Sequence, residues 1–423
     1  MARWLYSAVW YLALPLVLRR LRKRAQKAPA YGERVGERFG KVPVRDDKPL
    51  WIHSVSVGET VAIAPLVKLL LKRQPELPIL MTTMTPTGAE RVRDLFGDQV
   101  QHLYCPYDLP HALSRFMQRI NPRALIVVET ELWPNVVAAC RSRNVPVLLA
   151  NARLSARSAK GYAKFSALTR PMLKSLSRVA AQNQTDGNRF VELGLPPEKL
   201  VVTGSVKFDI SVPESAKKEA AGLRKQWGIE RPVIVAGSTH EGEESMLLDL
   251  YARLLDKIPD LLMVLVPRHP ERFDGVNTLT SKRGFKVTRR SGGDPNAETQ
   301  IYVGDTMGDL LMLYASADLA FVGGSLVERG GHNPLEPAAL AKPVIMGEYV
   351  FNFAVICEAL KEAGGLVLVG SLDELEQHSL SVLKDPQRAA QLGTAAAAFV
   401  KENQGALERL YQQVESICLG APK

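Results

Sequence analysis

Much of what makes a sequence easy to assign is missing here. Four cysteines, Cys105, Cys140, Cys357 and Cys418, are scattered over 423 residues with no CxxC pair. That spacing excludes a disulfide framework and a cysteine zinc site, and it suits reduced, buried thiols. None of the seven histidines pairs with another at ligand spacing on a helix face, so no catalytic metal is expected. Neither GxGxxG nor GxxxxGKS/T occurs, which argues against a dinucleotide oxidoreductase and against a P-loop enzyme. Asp-x-Asp is absent too, and with it the short carboxylate pair that commonly holds a metal on a nucleotide diphosphate. There is no internal repeat and no low-complexity segment.

What is present points to a folded, two-domain protein. Hydrophobic residues make up 46% and charged residues 23%, and the length suits two domains of roughly 150–200 residues. The net charge of +10 calls for a polyanionic partner: nucleic acid, an anionic membrane or a phosphorylated substrate. Its distribution decides. Residues 1–45 hold eleven Lys/Arg against two acids, so +9 of the excess lies in this segment. There WLYSAVWYLALPLVL, fifteen residues without a charge, runs straight into RRLRKR. As a helix it is about 22 Å long, short of the roughly 30 Å hydrocarbon core. A cleaved signal would carry its positive cluster before the apolar run, not after it. The segment reads as a monotopic anchor on an anionic membrane surface, with Trp4, Trp10, Arg19 and Arg20 at the headgroups and the globular part on the cytoplasmic face. A core helix of the first domain is the alternative. Nucleic acid is not the expected partner.

From residue 46 the pattern alternates. The apolar runs PLWIHSV, LPILMTTM, ALIVVETE, VPVLLAN, RVAAQN and KLVVTGS are separated by helical stretches such as PTGAERVRDLF and DLPHALSRFMQRI. Buried parallel strands joined by helical crossovers predict a doubly wound α/β sheet. After VPESAKKEAAGLRKQWGIE the pattern restarts with RPVIVAGS, LLMVLVP, FKVTRR, TQIYVGD, LAFVGGS, KPVIMG and GLVLV. The expected organisation is an anchor and basic segment over 1–45, a Rossmann-like domain over 46–210 and a second over 211–423. Strand C-termini then point into a cleft between them, where open α/β sheets bind ligands. RRSGGDPNAET (289–299) reads as a flexible loop.

Candidate chemistry is sought at the strand ends. In LWIHSVSVGET, Glu59 opens a helix, and the dipole of that helix favours its ionised form. The strongest signal is FVGGSLVERGGHNPLEPAALAKPVIMG. Gly323-Gly324-Ser325 end a strand, and a glycine-rich loop leads to a helix with Asn333 as cap, Pro334 and Leu335 in its first turn and Glu336 completing a capping box. The stretch either turns and caps the chain or holds a phosphate at the helix N-terminus. Glu129, Glu131, Lys207, Ser238, Glu241, Arg268 and Asp305 to Asp309 fall at other strand ends. Arg153, Arg157, Lys160 and Lys164 can share one helical face, either solvated or docking a phosphorylated amphiphile.

In order and wording these stretches resemble the Kdo (3-deoxy-D-manno-octulosonic acid) transferases of Gram-negative lipopolysaccharide synthesis. HSVSVGE, TTMTPTG, VETELWPN, ANARLSARSA, VTGSVKFD, STHEGEE, VPRHPERF, VGDTMG and FVGGSLVERGGHNPLE recur in that family in this sequence, and the resemblance spans essentially the whole chain. It implies a GT-B glycosyltransferase, with two Rossmann-like domains, acceptor side N-terminal and donor side C-terminal. It further implies transfer of Kdo with inversion from CMP-β-Kdo to the 6′-hydroxyl of the lipid A precursor lipid IVA, without a metal cofactor. On the family pattern Glu59 is the general base, and Glu129 and Lys207 stabilise the transition state. CMP is held by Pro267, Arg268, Met307, Gly308, Asp309, Asn333, Pro334, Leu335 and Glu336, while Arg153 and Arg157 suit the phosphorylated acceptor. Competing readings are a lipid-linked glycosyltransferase of the same fold using a UDP-sugar, and a non-catalytic nucleotide sensor.

Overall fold

Residues 1–420 are described in a computed structural model, in which the chain forms two units: Met1–Asp209 together with the chain from Gln404 onward, and Ile210–Asn403. The first holds seven strands, β1 (Leu50–His53), β2 (Ile79–Thr83), β3 (Gln101–Tyr104), β4 (Ala124–Val128), β5 (Val147–Ala152), β6 (Arg178–Ala181) and β7 (Leu200–Val202). They lie in the order β3-β2-β1-β4-β5-β6-β7, and every pairing is parallel. The second holds β8 (Val233–Thr239), β9 (Leu262–Pro267), β10 (Val287–Arg289), β11 (Ile301–Val303), β12 (Leu319–Val322), β13 (Val344–Gly347) and β14 (Leu366–Val369). Their order is β10-β11-β9-β8-β12-β13-β14, again all parallel.

Thirteen of these strands coincide with the apolar runs of the sequence. The exception is β3, an edge strand whose exposure falls from solvent-facing Gln101 to buried Leu103 and Tyr104. QHLY therefore never presents the continuous apolar run by which central strands are recognised. Burial of β1, β2, β4 and β5 is complete on both faces, because crossover helices cover each side. The strand order reverses beside β1, between β2 and β4, and beside β8, between β9 and β12. Those are the switch points at which a doubly wound sheet opens a crevice.

The domain boundary differs from the sequence expectation at the far end. The helix Ala406–Val414, expected to close the second domain, packs on the first. Leu410, Tyr411, Val414 and Cys418 join one cluster with Leu50, Ile52, Ile63 and Leu66. Asp209 fixes the entry by accepting the N–H groups of Gly405 and Leu407, both at 2.6 Å. Arg73 adds a two-pronged ion pair with Glu408. An apolar stripe needs an apolar partner, and here the open face of the first sheet supplies it.

One further segment departs from expectation. The loop after β10 is tied down rather than flexible. Asp305 accepts Ser291 N–H and hydroxyl, Tyr302 donates to the Gly293 carbonyl, and Arg231 reaches the carbonyls of Asn296 and Thr299. The N-terminal segment is one helix, Ala2–Lys27, that runs through Pro15 and the basic cluster. One face carries Trp10, Leu14, Val17 and Leu18 against Tyr107, Leu109 and Ala112. Trp4 (72% exposed), Leu5, Val9, Leu12 and Leu16 are open on the other. Among the described residues no helix is long and apolar enough to cross a membrane.

Because the last helix completes the core of the first unit, Leu410→Ala is expected to cost about 2–5 kcal/mol. In denaturant titrations followed by hydrogen exchange the loss should appear in β1 and β4, with the second unit's protection unchanged.

Candidate active site

Glu59 is set by the turn that leaves β1. Ser54 and Val55 lead to Ser56, the N-cap of the helix Val57–Arg73, and the Ser56 hydroxyl lies 3.5 Å from Glu59 N–H. The glutamate folds back reciprocally. Its Oε2 accepts Val55 N–H at 2.7 Å, and its Oε1 accepts the Ser56 hydroxyl at 2.8 Å. This is a capping box closed one residue early. It holds the carboxylate half-buried at the sheet edge.

The helix dipole does not keep this carboxyl low, contrary to expectation. Burial raises it from its ordinary 4.5 to about 7, and the charges of Glu131 and Glu129 push the same way, outweighing the hydrogen bonds from Val55 and Ser56. Desolvation wins because a partly dry carboxylate loses more hydration than two donors return.

Glu129 follows β4, directly across the switch point, in the left-handed conformation at φ 59°. A non-glycine residue there is strained, and such strain gathers at functional sites. Its N–H is held by the Ala150 carbonyl at 3.0 Å. Two residues on, Glu131 accepts the indole N–H of Trp133 at 3.2 Å. Trp133 in turn packs edge-on to His53 at 5.2 Å, and burial holds that imidazole down at about 4, so it is neutral. Lys207 lies in the turn Val206–Phe208 after β7, half-buried. Its ammonium is pushed below its usual value by burial; Glu129 pulls it back up and Arg153 pushes it further down. Glu129 is thus felt both by Glu59, together with Glu131, and by Lys207, together with Arg153, which links the five groups along one edge of the first sheet.

Arg153 and Arg157 are exposed, the latter on the helix Ala156–Lys164 with Lys160 and Lys164, and Phe165 beside them is 68% exposed. Arg19, Arg20 and Trp4 are exposed on the N-terminal helix. Trp10 is not aligned with them: it turns inward, donating to the Tyr6 hydroxyl at 2.7 Å and packing near Tyr107.

In the second unit, buried Pro267 ends β9 and Arg268 follows it, exposed, with its N–H on the Thr239 carbonyl at 3.0 Å. Met307 and Gly308 are exposed after β11. Asp309 accepts the Thr306 hydroxyl at 2.6 Å and the Arg290 Nε at 3.4 Å. The expected capping box at Asn333 does not form. Leu335–Ala339 is a short turn of helix after Pro334, and Asn333 donates its amide to Glu336 at 3.3 Å while accepting Leu335 N–H at 3.2 Å. Burial raises the Glu336 carboxyl, with Asn333 and Arg268 countering.

The start of the glycine-rich loop holds a partner the sequence did not suggest: the N–H groups of Gly324, Ser325 and Leu326 are taken by the buried carboxylate of Glu243. Oε2 accepts Gly324 N–H at 2.6 Å and His240 N–H at 2.9 Å, and Oε1 accepts Ser325 at 2.9 Å and Leu326 at 3.0 Å. Sequence reading singled out Glu241, which is exposed, and passed over Glu243, which is 0% exposed. It also passed over His240 and His332, whose Nε2 atoms are 2.8 Å apart although 92 residues separate them. No local spacing announces either contact. Among the described residues no group of three or more His, Cys, Asp or Glu could hold a metal ion.

Two seven-stranded parallel sheets, each with polar groups gathered at its switch point, are the architecture of the GT-B fold. Likeness in fold bears this out: the UDP-GlcNAc 2-epimerase structure from Neisseria meningitidis, 16% identical, aligns over 85% of this chain and 99% of its own with a TM-score of 0.53. Residues 33–210 match the model of the 3-deoxy-D-manno-octulosonic-acid transferase (kdotransferase) family, and residues 245–399 match that of glycosyl transferases group 1. The 3-deoxy-D-manno-octulosonic acid transferase of Haemophilus influenzae is 44% identical over 97% of both chains. That of Bordetella pertussis is 36% identical over 98% of this chain and 99% of its own. The chain belongs to the Kdo transferase family and is an enzyme of that class.

A carboxyl raised from 4.5 to about 7 binds its proton more tightly in the fold than in the unfolded chain, so stability falls as pH rises through that window. Glu59→Gln removes the dependence. Relative to the parent, the variant should gain on the order of 1–3 kcal/mol between pH 4.5 and pH 7.5 in paired urea titrations.

Proposed function

We propose that this enzyme transfers Kdo from CMP-β-Kdo, with inversion, to the 6′-hydroxyl of lipid IVA, releasing CMP and adding one or more Kdo residues. The observation that carries the reading is Glu59. A general base is most effective when its pKa lies near the working pH, and a half-buried carboxyl raised to about 7 meets that condition on an element that fixes its direction. Glu59 takes the proton of the acceptor hydroxyl as the oxygen attacks the anomeric carbon, and the bond to the CMP phosphate breaks. Glu129 and Lys207 stabilise the oxocarbenium-like charge and the developing anion; their coupling, visible in the Lys207 shift, supports a shared task.

The donor binds the second unit through Pro267 and Arg268, through Met307, Gly308 and Asp309, and through Asn333, Pro334, Leu335 and Glu336. CMP leaves with one phosphate, so side-chain cations suffice to balance it, in keeping with the absence of Asp-x-Asp from the sequence; the reaction needs no metal. The enzyme works at the cytoplasmic face of the inner membrane. The exposed apolar face of the helix Ala2–Lys27, beside exposed Arg19 and Arg20, supports an interfacial seat on anionic lipid, and Arg153 and Arg157 suit the acceptor's phosphates.

Incubation with CMP-Kdo and lipid IVA in detergent, read by product mass, tests the reading. Glu59→Ala should lower turnover by about 10²-fold or more while CMP affinity stays within about twofold. Turnover should be indifferent to a chelator. Near-normal transfer by the variant would remove Glu59 from the role of base.

A further inference from the structure

The second unit holds a pair of imidazoles, one of them in the glycine loop, for which neither the packing nor the proposed chemistry accounts. His240 follows β8 and His332 lies in the return of the loop after β12, so both stand over the switch point of the second sheet. Their rings are nearly coplanar, 4° from parallel with centroids 5.0 Å apart, and meet edge to edge, one Nε2–H donating to the other Nε2 at 2.8 Å. Gly324, at φ 71°, is the floor of the pair. A Cβ there would come within 3.1 Å of His332 Cδ2 and 3.5 Å of His240 Cδ2. His269 closes the edge of His240 at 5.4 Å.

The surroundings are rich in arginine. Arg268 and Arg272 face the pair from the segment after β9, alongside the His269 ring, and Arg329 faces it from the loop after β12. The nearby carboxylates are engaged elsewhere. Glu243 lies beneath with four backbone N–H groups, Glu244 holds Arg272 and Thr239, Glu336 holds Asn333, and Glu271 stands 4.0 Å from His269. Burial and the neighbouring arginines depress both imidazoles, His332 to about 4, so the pair is neutral, with one Nε2–H bridging the two rings.

With one Nε2 acting as donor and the other as acceptor, the pair offers an oxyanion a single Nε2–H, and an entering negative charge favours protonating the acceptor ring so that both Nε2–H groups donate. The backbone N–H groups of Gly324, Ser325 and Leu326 are already taken by Glu243. We propose that the His240–His332 pair is the receptor for the donor's phosphate, and that it takes a proton from solvent as the phosphate arrives. In the neutral state one ring donates to the other. In the bound state the Nε2···Nε2 bond opens, both Nε2–H groups donate to phosphate oxygens, and the entering negative charge offsets the added positive charge. The inference rests on the reading that a cytidine nucleotide is the donor, and it adds to that reading the residues that hold its anion.

Titration calorimetry with CMP, at about pH 6.5 in two buffers of different ionisation enthalpy, tests it on the full-length protein, with cytidine as the ligand lacking phosphate. The parent should take up close to one proton per CMP and none with cytidine. His332→Gln and His240→Gln should each weaken CMP about tenfold or more, abolish the uptake and flatten the dependence of CMP affinity on pH, while leaving cytidine affinity unchanged. A purely structural role for the pair would shift thermal stability without moving proton uptake. Parental CMP affinity or parental proton uptake in both variants overturns the proposal. Failure of the parent to bind CMP while still transferring Kdo would instead overturn the donor reading beneath it.

Discussion

A parallel strand buried on both faces leaves its polar neighbours one way to water, off the end of the strand. In this protein two such sheets push every candidate reactive group to the same kind of place. Glu59 follows β1, Glu129 follows β4, Arg153 follows β5 and Lys207 follows β7. In the second unit His240, Arg268, Asp309 and the glycine loop follow β8, β9, β11 and β12. The crossovers that bury the strands thus also gather the chemistry, and the strand order picks out β1 with β4 and β8 with β12 as the pairs between which it opens.

Partial burial then tunes those groups in a common direction, toward the neutral form. The Glu59 carboxyl is pushed up, the Lys207 ammonium is pushed down, and the two loop imidazoles are held deprotonated. Glu243 is more deeply buried than any of these, and four N–H groups surround it, one of them donated by the residue that carries the first imidazole. With its oxygens occupied by the backbone, it holds the loop in place, whereas Glu59 has two donors and a face left partly open.

The fold was legible wherever burial was uniform. Central strands announce themselves as apolar runs, and the restart after residue 230 marks a second sheet. Legibility failed where the signal was spread along the chain. β3 is half-exposed and does not read as apolar, and the last helix carries a stripe that fits a sheet made long before it. At the candidate site the local motifs around Glu59, Glu129, Lys207, Arg268 and Asp309 were readable because each sits within a few residues of a strand end. Contacts made across the chain, Glu243 with Gly324 to Leu326 and His240 with His332, left no spacing to read. The capping box at Asn333 shows the converse: a good local pattern that Pro334 and a very short helix leave unfilled.

The return of the chain to the first unit also has a bearing on how the molecule is made. Residues Ile210–Asn403 form one continuous stretch, whereas the first unit is interrupted by it and resumes at Gln404. On a ribosome the inserted unit has its entire sequence in hand while β1 and β4 still lack Leu410, Tyr411 and Val414 on one face. The first unit to begin synthesis is therefore the last able to finish folding, and for that interval a sheet face that is apolar in the mature enzyme stands uncovered in the cell.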